Sequence, residues 1–437
     1  MRGEGEEIVG LEPRPLWRLF HRLTRIPRPS RHEEAIREWL AGFGRELGLE
    51  TITDDAGNVL IRKPAVPGRE GDAGVVLQGH MDMVAQANAG SDHDFTRDPI
   101  RTRIDGDWVC AEGTTLGADN GIGVAAMLAV LQSRELSHGP VEALFTATEE
   151  TGMDGAFGLQ PDLLRGRYLL NTDSEDEGVL CIGCAGGANV DSDIPYTPQP
   201  LTGDWRGMQL AVTGLRGGHS GVDIHRGRGN AVALLFRLLR HGARECDLRI
   251  LSLDAGSLRN AIPREAFAAV AVPAGRVQAF SDLLSRLAQE IGQELAAVEP
   301  ELRIRASPRE QERPAWLGAA LQRRLIGAVR ACPGGVLRMS DSMPGLVESS
   351  NNLAIVRTVE GRVEIRNLVR SSVESARDDI CDRLAGLFRL AGAESAIGGI
   401  YPGWRPDPEA PLLQLVQGVY RELFGTAPEV GAMHAGL

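Results

Sequence analysis

The sequence predicts an α/β protein with a mostly parallel sheet flanked by helices and an inserted α+β domain. Three observations lead to this prediction. Before about Gly187, short apolar runs alternate with amphipathic helical stretches, as they do in βαβ units. After Gly187, strands and helices follow in the grouped order of α+β structure. The chain also has 437 residues, which is enough for two or three domains.

The first region alternates helices with strands. Amphipathic spacing predicts helices over 15–26, 33–47 and 120–132. Ser30 is expected to cap the second of these helices. Short apolar runs between turn residues predict strands over 75–78, 141–146 and 168–171. Strands alternating with helices form largely parallel sheets that are covered on both faces, so one α/β layer is expected.

The second region contains two sets of elements in a similar order. The first set has predicted strands over 208–212, 248–253 and 267–272 and helices over 230–241 and 277–297. The second set has predicted helices over 315–331 and 373–390 and strands over 353–357 and 363–368. This similarity predicts an internally duplicated domain. A final helix over 411–424 and a strand over 429–433 are expected to return to the first sheet.

The composition argues against several classes of function. The formal net charge is −12, which disfavours binding to nucleic acid. Lys63 is the only lysine, so Schiff-base or P-loop chemistry would depend on that one side chain. The acidic first ten residues lack the pattern of a signal peptide, and no apolar run reaches the roughly 18 residues of a membrane span. We therefore expect a cytoplasmic protein without a membrane partner.

The cysteines do not indicate a disulfide framework or a zinc finger. Six cysteines are scattered along the chain. Cys181 and Cys184 form a C-x-x-C motif, but no second pair of ligands follows at zinc-finger spacing. We interpret both as small buried residues on a strand and turn.

A histidine and an aspartate follow the first predicted strand. His80 and Asp82 come directly after the apolar run 75–78, and ligands of parallel α/β sheets bind at the carboxyl ends of the strands. Two residues apart in extended backbone, the two side chains point to the same face. Asp82 would then accept a hydrogen bond from the imidazole and orient its other nitrogen toward a metal. A turn-stabilising pair without a metal is the alternative.

Further acidic residues lie at comparable positions. Asp119 opens a predicted helix, where it is either an oxygen ligand or an N-cap. Glu149, Glu150 and Asp173 follow the ends of predicted strands. Adjacent carboxylates repel each other, so a buried site that holds both glutamates needs a compensating cation. Taken one at a time, these acids are equally consistent with solvated loops.

A site for two metal ions needs a second imidazole. Each ion takes about four ligands, and hydrolases hold two ions roughly 3.5–4 Å apart with a bridging carboxylate. His434 follows the last predicted strand and supplies the second imidazole. The set of residues therefore predicts a pair of divalent cations.

The order and wording of these motifs resemble those of a known family. The motifs are Gly79-His80-Met81-Asp82, Gly117-Ala118-Asp119-Asn120-Gly121, Glu149-Glu150-Thr151-Gly152, Asn171-Thr172-Asp173, Gly217-Gly218-His219-Ser220-Gly221 and His434-Ala435-Gly436-Leu437. They resemble the aminoacyl-histidine dipeptidase (peptidase D) family. That family belongs to the carboxypeptidase G and aminoacylase type of dinuclear metallohydrolases, so the resemblance implies the dinuclear zinc exopeptidase fold.

The resemblance implies a role for each metal-binding residue. His80 and Asp173 would hold one ion, Glu150 and His434 the other, and Asp119 would bridge them. The cofactor would be two divalent ions, with zinc expected and manganese or cobalt as alternatives.

The resemblance also implies roles in the reaction. Asp82 would orient His80, and Glu149 would be the general base that takes a proton from water and passes it to the leaving amine. His219 and Asn260 would come from a lid and donate hydrogen bonds to the oxyanion. Arg370 would bind the terminal carboxylate of the substrate in a bidentate manner, and a solvated surface arginine is the alternative.

The implied activity is hydrolysis of Xaa-His and related dipeptides by water activated at the metal ions, with the lid groups supplied by domain closure. The implied domains are a catalytic domain in two parts, 1–186 and 400–437, and an inserted lid domain over 187–399. A homodimer through the inserted domain is expected as a further partner, although internal duplication could mimic one within a single chain.

The family pattern continues beyond the last motif, so the second catalytic part is expected to be truncated. Two alternatives to the dipeptidase follow from the sequence. One is an N-acyl amino acid amidohydrolase of the same fold. The other is an inactive metal-binding or interaction protein.

Overall fold

The computed structural model describes residues 6–88, 90–174, 176–309 and 315–436, and the chain divides into two units, Met1–Gly178 and Val179–Leu437. The strands of the first unit are β1 (Glu50–Thr53), β2 (Val59–Lys63), β3 (Val75–His80), β4 (Thr102–Asp105), β5 (Trp108–Ala111), β6 (Val141–Thr146) and β7 (Tyr168–Asn171). Its helices are α1 (Arg14–Thr24), α2 (Glu34–Glu46), α3 (Ala118–Gln132) and α4 (Asp154–Gly158), preceded by a 3₁₀ helix over Glu6–Gly10.

The first unit is built on a five-stranded sheet in the order β1-β2-β6-β3-β7. Strand β3 pairs in parallel with β6 and β7, whereas β1 and β2 continue the sheet antiparallel. Strand β6 is buried at every position, as expected for a strand that is covered on both faces. Phe145 and its neighbour Leu144 accordingly belong to two different hydrophobic clusters. The predicted α/β class is confirmed, and the parallel arrangement holds for the three strands that carry candidate site residues.

The second unit contains the remaining elements. Its strands are β8 (Val179–Cys184), β9 (Gly186–Pro195), β10 (Gln199–Pro200), β11 (Trp205–Thr213), β12 (Arg249–Ala255), β13 (Ala266–Pro273), β14 (Arg303–Pro308), β15 (Ala315–Trp316), β16 (Gly335–Met339), β17 (Val347–Val359), β18 (Arg362–Ser371), β19 (Glu394–Tyr401) and β20 (Glu429–Met433). Its helices are α5 (Ala231–Glu245), α6 (Val277–Glu294), α7 (Ala319–Ala331), α8 (Glu374–Leu390) and α9 (Pro411–Phe424), with short 3₁₀ helices over Ile224–Arg226 and Ala274–Arg276.

The large sheet of this unit is internally duplicated. Its order is β14-β11-β13-β12-β17-β18-β9-β19, with β16 beside β17. One repeat runs β11-α5-β12-β13-α6-β14, and the other runs β9-α7-β17-β18-α8-β19. If the strands of each repeat are numbered along the chain, they lie side by side in the order fourth, first, third and second. The second strands of the two repeats, β12 and β17, pair antiparallel. The predicted duplication is confirmed. The prediction lacked the first strand of the second repeat, which is β9 and comes before the first repeat in the chain.

Three predicted details of the elements are wrong. Ser30 does not cap α2, because its hydroxyl donates to the carboxylate of Asp82, a charged and therefore stronger acceptor. The helix predicted over 315–331 begins only at Ala319, after Gly318 adopts a φ of +82° that a helix does not allow. The final strand β20 pairs in parallel with β8 and does not join the first sheet.

Other predictions concern membrane spans, cysteines and domain limits. Among the described residues, no helix combines the length and apolar character that crossing a membrane requires. Within the same ranges no disulfide forms. Cys181 and Cys184 both lie on β8 and neither on a turn, and only Cys184 is buried as predicted. The domain limits 1–186, 187–399 and 400–437 stay a prediction.

Candidate metal centre

The first unit brings six predicted site residues together at one edge of its sheet. His80 ends β3, Glu149 and Glu150 follow β6, and Asp173 follows β7. Because these three strands are parallel, their carboxyl ends meet at the same edge. Asp119 joins them from the start of α3, where Gly117 and not Asp119 is the N-cap. Asp82 lies two residues beyond the end of β3.

His80 is the centre of this cluster. Its ring is almost fully buried, and its Nε2 lies 2.9 Å from Asp119 Oδ1, 3.5 Å from Asp173 Oδ1 and 4.0 Å from Glu149 Oε2. Potential ligand atoms of His80, Asp119 and Asp173 lie within 4.8 Å of one another, and so do those of His80, Glu149 and Glu150. Two sets of ligand atoms therefore share one imidazole.

Asp82 holds several parts of the cluster in place. Its Oδ1 lies 3.3 Å from His80 Nδ1, and its main-chain oxygen lies 3.2 Å from the same nitrogen. Both neighbours are acceptors, so Nδ1 carries a proton and Nε2 is left for the cluster. The Asp82 carboxylate also accepts from Ser30 Oγ at 2.8 Å and from the backbone N–H groups of Glu149 and Glu150 at 3.0 and 3.2 Å. One buried carboxylate thus orients the imidazole and the two glutamates.

The charges of the cluster are strongly coupled. Burial disfavours the charged form of His80, but Asp173 and Asp82 outweigh it and raise the pKa of the imidazole to about 11. Burial and the negative charge of Asp119 raise the pKa of Glu150 to about 7. Burial is also the main cause of a raised pKa at Glu149. Several carboxylates gathered around one imidazole are the situation that a bound cation relieves.

The donor set fits a divalent metal ion. One imidazole nitrogen and several carboxylate oxygens are ligands that suit zinc, manganese and cobalt. The second histidine predicted as a ligand, His434, lies in the second unit and is described below.

Metal binding to this cluster is expected to strengthen as the pH rises. Glu150, with a pKa of about 7, is mostly protonated at pH 6 and ionised at pH 8, and a proton on a ligand competes with the metal. The apparent affinity for Zn²⁺ or Mn²⁺ should therefore rise at least about tenfold between pH 6 and pH 8. Competition with a chromophoric chelator, corrected for the chelator's own protonation, measures this change. Equal affinities at both pH values would contradict it.

Asn120 is a supporting residue that the sequence did not single out. Its side-chain amide donates to the Asp173 carboxylate and to the Thr172 carbonyl. A Cβ atom on Gly79 would lie 2.3 Å from Asn120 Oδ1, and a Cβ atom on Gly123 would lie 2.6 Å from it, which is too close in both cases. These two glycines are therefore needed for Asn120 to reach Asp173.

Arg28 is a second unpredicted residue, and it lies buried beside the cluster. Its guanidinium donates to the carbonyl oxygens of Met81 at 3.0 Å, Asp82 at 2.8 Å and Gly117. Gly117 and Gly121 leave room for it, since a Cβ on either would meet Nη2 at 2.7 or 2.6 Å. Burial lowers the pKa of Arg28 to about 10, yet the side chain stays charged at neutral pH. Arg28 therefore ties the end of β3 to the start of α3.

Replacing Arg28 with methionine is expected to lower the free energy of unfolding by about 2–4 kcal/mol, because three buried carbonyl groups lose their donor. Urea denaturation measures the change. Arg22→Met, at an exposed position of α1, is the control and should change it by less than about 0.5 kcal/mol. A similar, small effect of both substitutions would contradict the structural role of Arg28.

In the second unit, His434 is buried after β20. Its Nε2 lies 2.7 Å from Ser350 Oγ on β17. Burial and the positive charge of Arg370 lower the pKa of His434 to about 4, so the ring is neutral at physiological pH. A neutral imidazole is the form that binds a metal ion.

His219 and Arg370 lie close together in the same unit. Nδ1 of His219 accepts from the backbone N–H groups of Gly221 at 3.3 Å and Val222 at 3.2 Å. The neutral ring must therefore carry its proton on Nε2, which lies 3.5 Å from Arg370 Nη2. Burial and Arg370 lower the pKa of His219 and keep the ring neutral. Two donors consequently converge on one point, where an oxygen atom of a ligand would satisfy both.

Arg370 is held by a tyrosine that the sequence did not suggest. It is buried, and its Nη1 donates to Tyr401 Oη at 2.7 Å. Burial lowers the pKa of Arg370. Because the side chain is buried in a polar contact, the alternative of a solvated surface arginine is wrong.

The segment that contains Asn260 runs beside the His219 loop. Ser220 N–H donates to the Asn260 carbonyl at 2.8 Å, and Asn352 Nδ2 donates to the carbonyls of Arg259 and Ala261 at 2.9 and 2.8 Å. The Asn260 side chain is exposed. Asn352 and Ser350 both belong to a buried polar run, 348–352, within β17. A polar run inside an otherwise apolar strand is the signal by which the sequence could have revealed their supporting roles.

Comparisons with known proteins identify the relatives of this chain. Residues 210–299 match the peptidase dimerisation domain of the M20 family. The chain is 45% identical over 431 residues to the cytosol non-specific dipeptidase of Escherichia coli (strain K12), a match that covers 99% of this chain and 89% of that protein.

Solved structures of peptidases are also similar to this chain. The structure of aminoacylhistidine dipeptidase from Vibrio alginolyticus superposes with a TM-score of 0.92 at 45% identity, covering 99% of this chain and 88% of that one. Aminopeptidase PepT from Bacillus cereus ATCC 10987 shares the fold at 16% identity, with a TM-score of 0.53 and coverage of 97% and 85%. The chain therefore belongs to the M20 family of metallopeptidases, in the group of the aminoacyl-histidine dipeptidases.

Proposed function

We propose that this M20 peptidase is a cytoplasmic, metal-dependent dipeptidase that hydrolyses Xaa-His and related dipeptides. The observation that carries the proposal is the cluster around His80, in which two sets of ligand atoms each fit within 4.8 Å. The names of its relatives, a cytosol non-specific dipeptidase and an aminoacylhistidine dipeptidase, support the substrate class and the location.

In this proposal two divalent ions are bound, with zinc preferred to manganese or cobalt. His80 and Asp173 would hold the first ion, and Asp119 would bridge the two. Glu150 and His434 would hold the second ion. The 2.9 Å and 3.5 Å distances from His80 Nε2 to Asp119 and Asp173 support the first group, and the neutral state of His434 supports its role as a ligand.

The bound ions would polarise the scissile carbonyl and lower the pKa of the attacking water. Glu149 would accept the proton of that water and return it to the leaving amine. Burial raises the pKa of Glu149, which favours acceptance of the proton. Asp82 would keep the imidazole of His80 and the backbone of Glu149 in position through the contacts described above.

The second unit would supply the groups that recognise the substrate. The Nε2–H of His219 would donate to the carbonyl oxygen as negative charge develops on it, and Asn260 would be a second donor. Arg370 would bind the terminal carboxylate, with its guanidinium oriented by Tyr401. A free carboxylate next to the scissile bond is what distinguishes a dipeptide from an internal segment of a longer chain.

A homodimer is also part of the proposal, supported by the match to the peptidase dimerisation domain. The two corresponding edge strands, β12 and β17, already pair within one chain. A second copy would therefore have to use another surface of the protein.

The decisive experiment is a hydrolysis panel on one purified sample whose metal content is measured in parallel. Xaa-His dipeptides should be cleaved, N-acetylated amino acids should not, and a chelator should abolish cleavage until Zn²⁺ or Mn²⁺ is restored. Preferred cleavage of N-acyl amino acids would identify an amidohydrolase of the same fold. Bound metal without cleavage of any amide would contradict the enzymatic function itself.

A further inference from the structure

A groove in the second unit is lined by four arginines. It lies between α5 and α7, the corresponding helices of the two repeats, and has a volume of about 520 Å³. Arg240 and Arg244 line it from α5, and Arg323 and Arg330 line it from α7. None of the residues that line the groove is acidic. The volume is in the range of pockets that bind small molecules.

These arginines form no close ion pairs with carboxylates. In the ranges that the structure describes, no ion pair joins any of the four to an acidic side chain. Arg237, also on α5, shows the contrast, because Glu294 binds its guanidinium with two contacts of 2.6 and 2.8 Å. Arg244 interacts with the charge of its neighbour Glu245, so the uncompensated charges of the groove are those of Arg240, Arg323 and Arg330.

Stabilisation of helix ends does not account for the cluster. Arg244 and Arg330 lie in the last turns of their helices, where a cation interacts favourably with the helix dipole. Arg240 and Arg323 lie outside those turns and have no such reason to face the groove. Burial and the positive charges of Arg237 and Arg240 lower the pKa of Arg330, as expected for repulsion that no anion relieves.

Gly327 of α7 leaves part of the groove open, because it has no side chain. Gly327 lies between Arg323 and Arg330, and no heavy atom lies within 4 Å of the place where its Cβ would stand. Ile326 contributes an apolar surface beside it. A ligand can therefore approach the helix backbone while the guanidinium groups reach it from two helices.

We infer that this groove binds a phosphate chain, such as that of a nucleoside triphosphate or of inorganic tripolyphosphate. Guanidinium groups bind phosphate oxygens in bidentate geometry, and several of them on two facing helices match a chain of adjacent phosphates better than a single anion. This binding site is independent of the dipeptidase function.

Isothermal titration calorimetry of the full chain at low ionic strength tests the inference, with tripolyphosphate, ATP and orthophosphate as ligands. Tripolyphosphate should bind at least about tenfold more tightly than orthophosphate, and added salt should weaken both. Similar affinities for ATP and tripolyphosphate would assign the site to the phosphate chain alone. ATP binding at least about tenfold tighter would assign it to a nucleotide.

Two variants of the groove separate this site from binding elsewhere. The double substitution Arg240→Gln and Arg330→Gln should weaken binding by at least about tenfold. Gly327→Leu should do the same by filling the groove, with the net charge unchanged and the helix favoured. Both variants leave every candidate metal ligand intact, which matters because tripolyphosphate also binds divalent cations.

The matched controls are Arg303→Gln with Arg383→Gln, which removes two exposed charges elsewhere in the unit, and Gly292→Leu on α6. Each should bind tripolyphosphate within about twofold of the parent. The inference would be overturned if the parent bound no tripolyphosphate at about 1 mM. It would also be overturned if the groove variants and the controls weakened binding equally.

Discussion

A Glu149→Gln variant is expected to lose about 10²–10⁴-fold in kcat while it keeps the metal content of the parent. Glutamine has the shape of glutamate but cannot take a proton from water. The Glu149 backbone N–H that bonds to Asp82 is unchanged, so the position of the residue should be preserved. Steady-state hydrolysis of an Xaa-His dipeptide and elemental analysis of the same sample measure the two quantities.

The His80→Ala variant distinguishes the loss of a general base from the loss of bound metal. It should also abolish turnover, but with a loss of bound metal, because it removes the imidazole proposed to hold the first ion. Glu135→Gln, at an exposed position of the same unit, should leave both quantities unchanged. Near-normal turnover of Glu149→Gln would show that another group is the general base.

His219→Ala should lower kcat by about 10²–10³-fold and change KM much less, because a donor to a developing oxyanion acts mainly in the transition state. Metal content should stay that of the parent, since His219 is not among the proposed ligands. The fixed proton on Nε2, set by the two backbone N–H groups at Nδ1, is the structural reason to expect this role.

One control and one comparison accompany the His219 variant. His241→Ala removes a half-buried histidine paired with Glu245 on α5 and should leave kcat within about twofold of the parent. Arg370→Met should chiefly raise KM for dipeptides, as expected for a residue that binds the substrate carboxylate. A fall in kcat of less than tenfold for His219→Ala would contradict the role as oxyanion donor.

Much of the fold was predictable because the signals for it are local. Strands β6 and β7 have the predicted limits, as do α9 and β20, since each is a short segment bounded by turn residues. Short or polar strands were missed, among them β9, which completes the second repeat only through its pairing with β18 and β19. Pairing with remote strands stabilises such segments, and the spacing of apolar residues within them carries little of that information.

The residues of the candidate site also fall into those that local sequence predicted and those that it did not. Histidine and carboxylates at the ends of apolar strands were recognisable because parallel strands bring their ends together. Ser30 was assigned to the nearest helix, but its partner Asp82 is 52 residues away. Arg28 resembled the many other arginines of the chain, and only its burial beneath Gly117 and Gly121 distinguishes it.

The sequence alone therefore determined the α/β class, the duplicated second region and the residue types proposed to bind the metal ions. The tertiary structure decided which polar groups support them: Asp82 between His80 and the glutamates, Asn120 against Asp173, and Tyr401 on Arg370. The physical reason is the range of the interactions. Propensity and apolar spacing act within a segment, whereas hydrogen bonds and burial depend on which remote segments the packed core brings into contact.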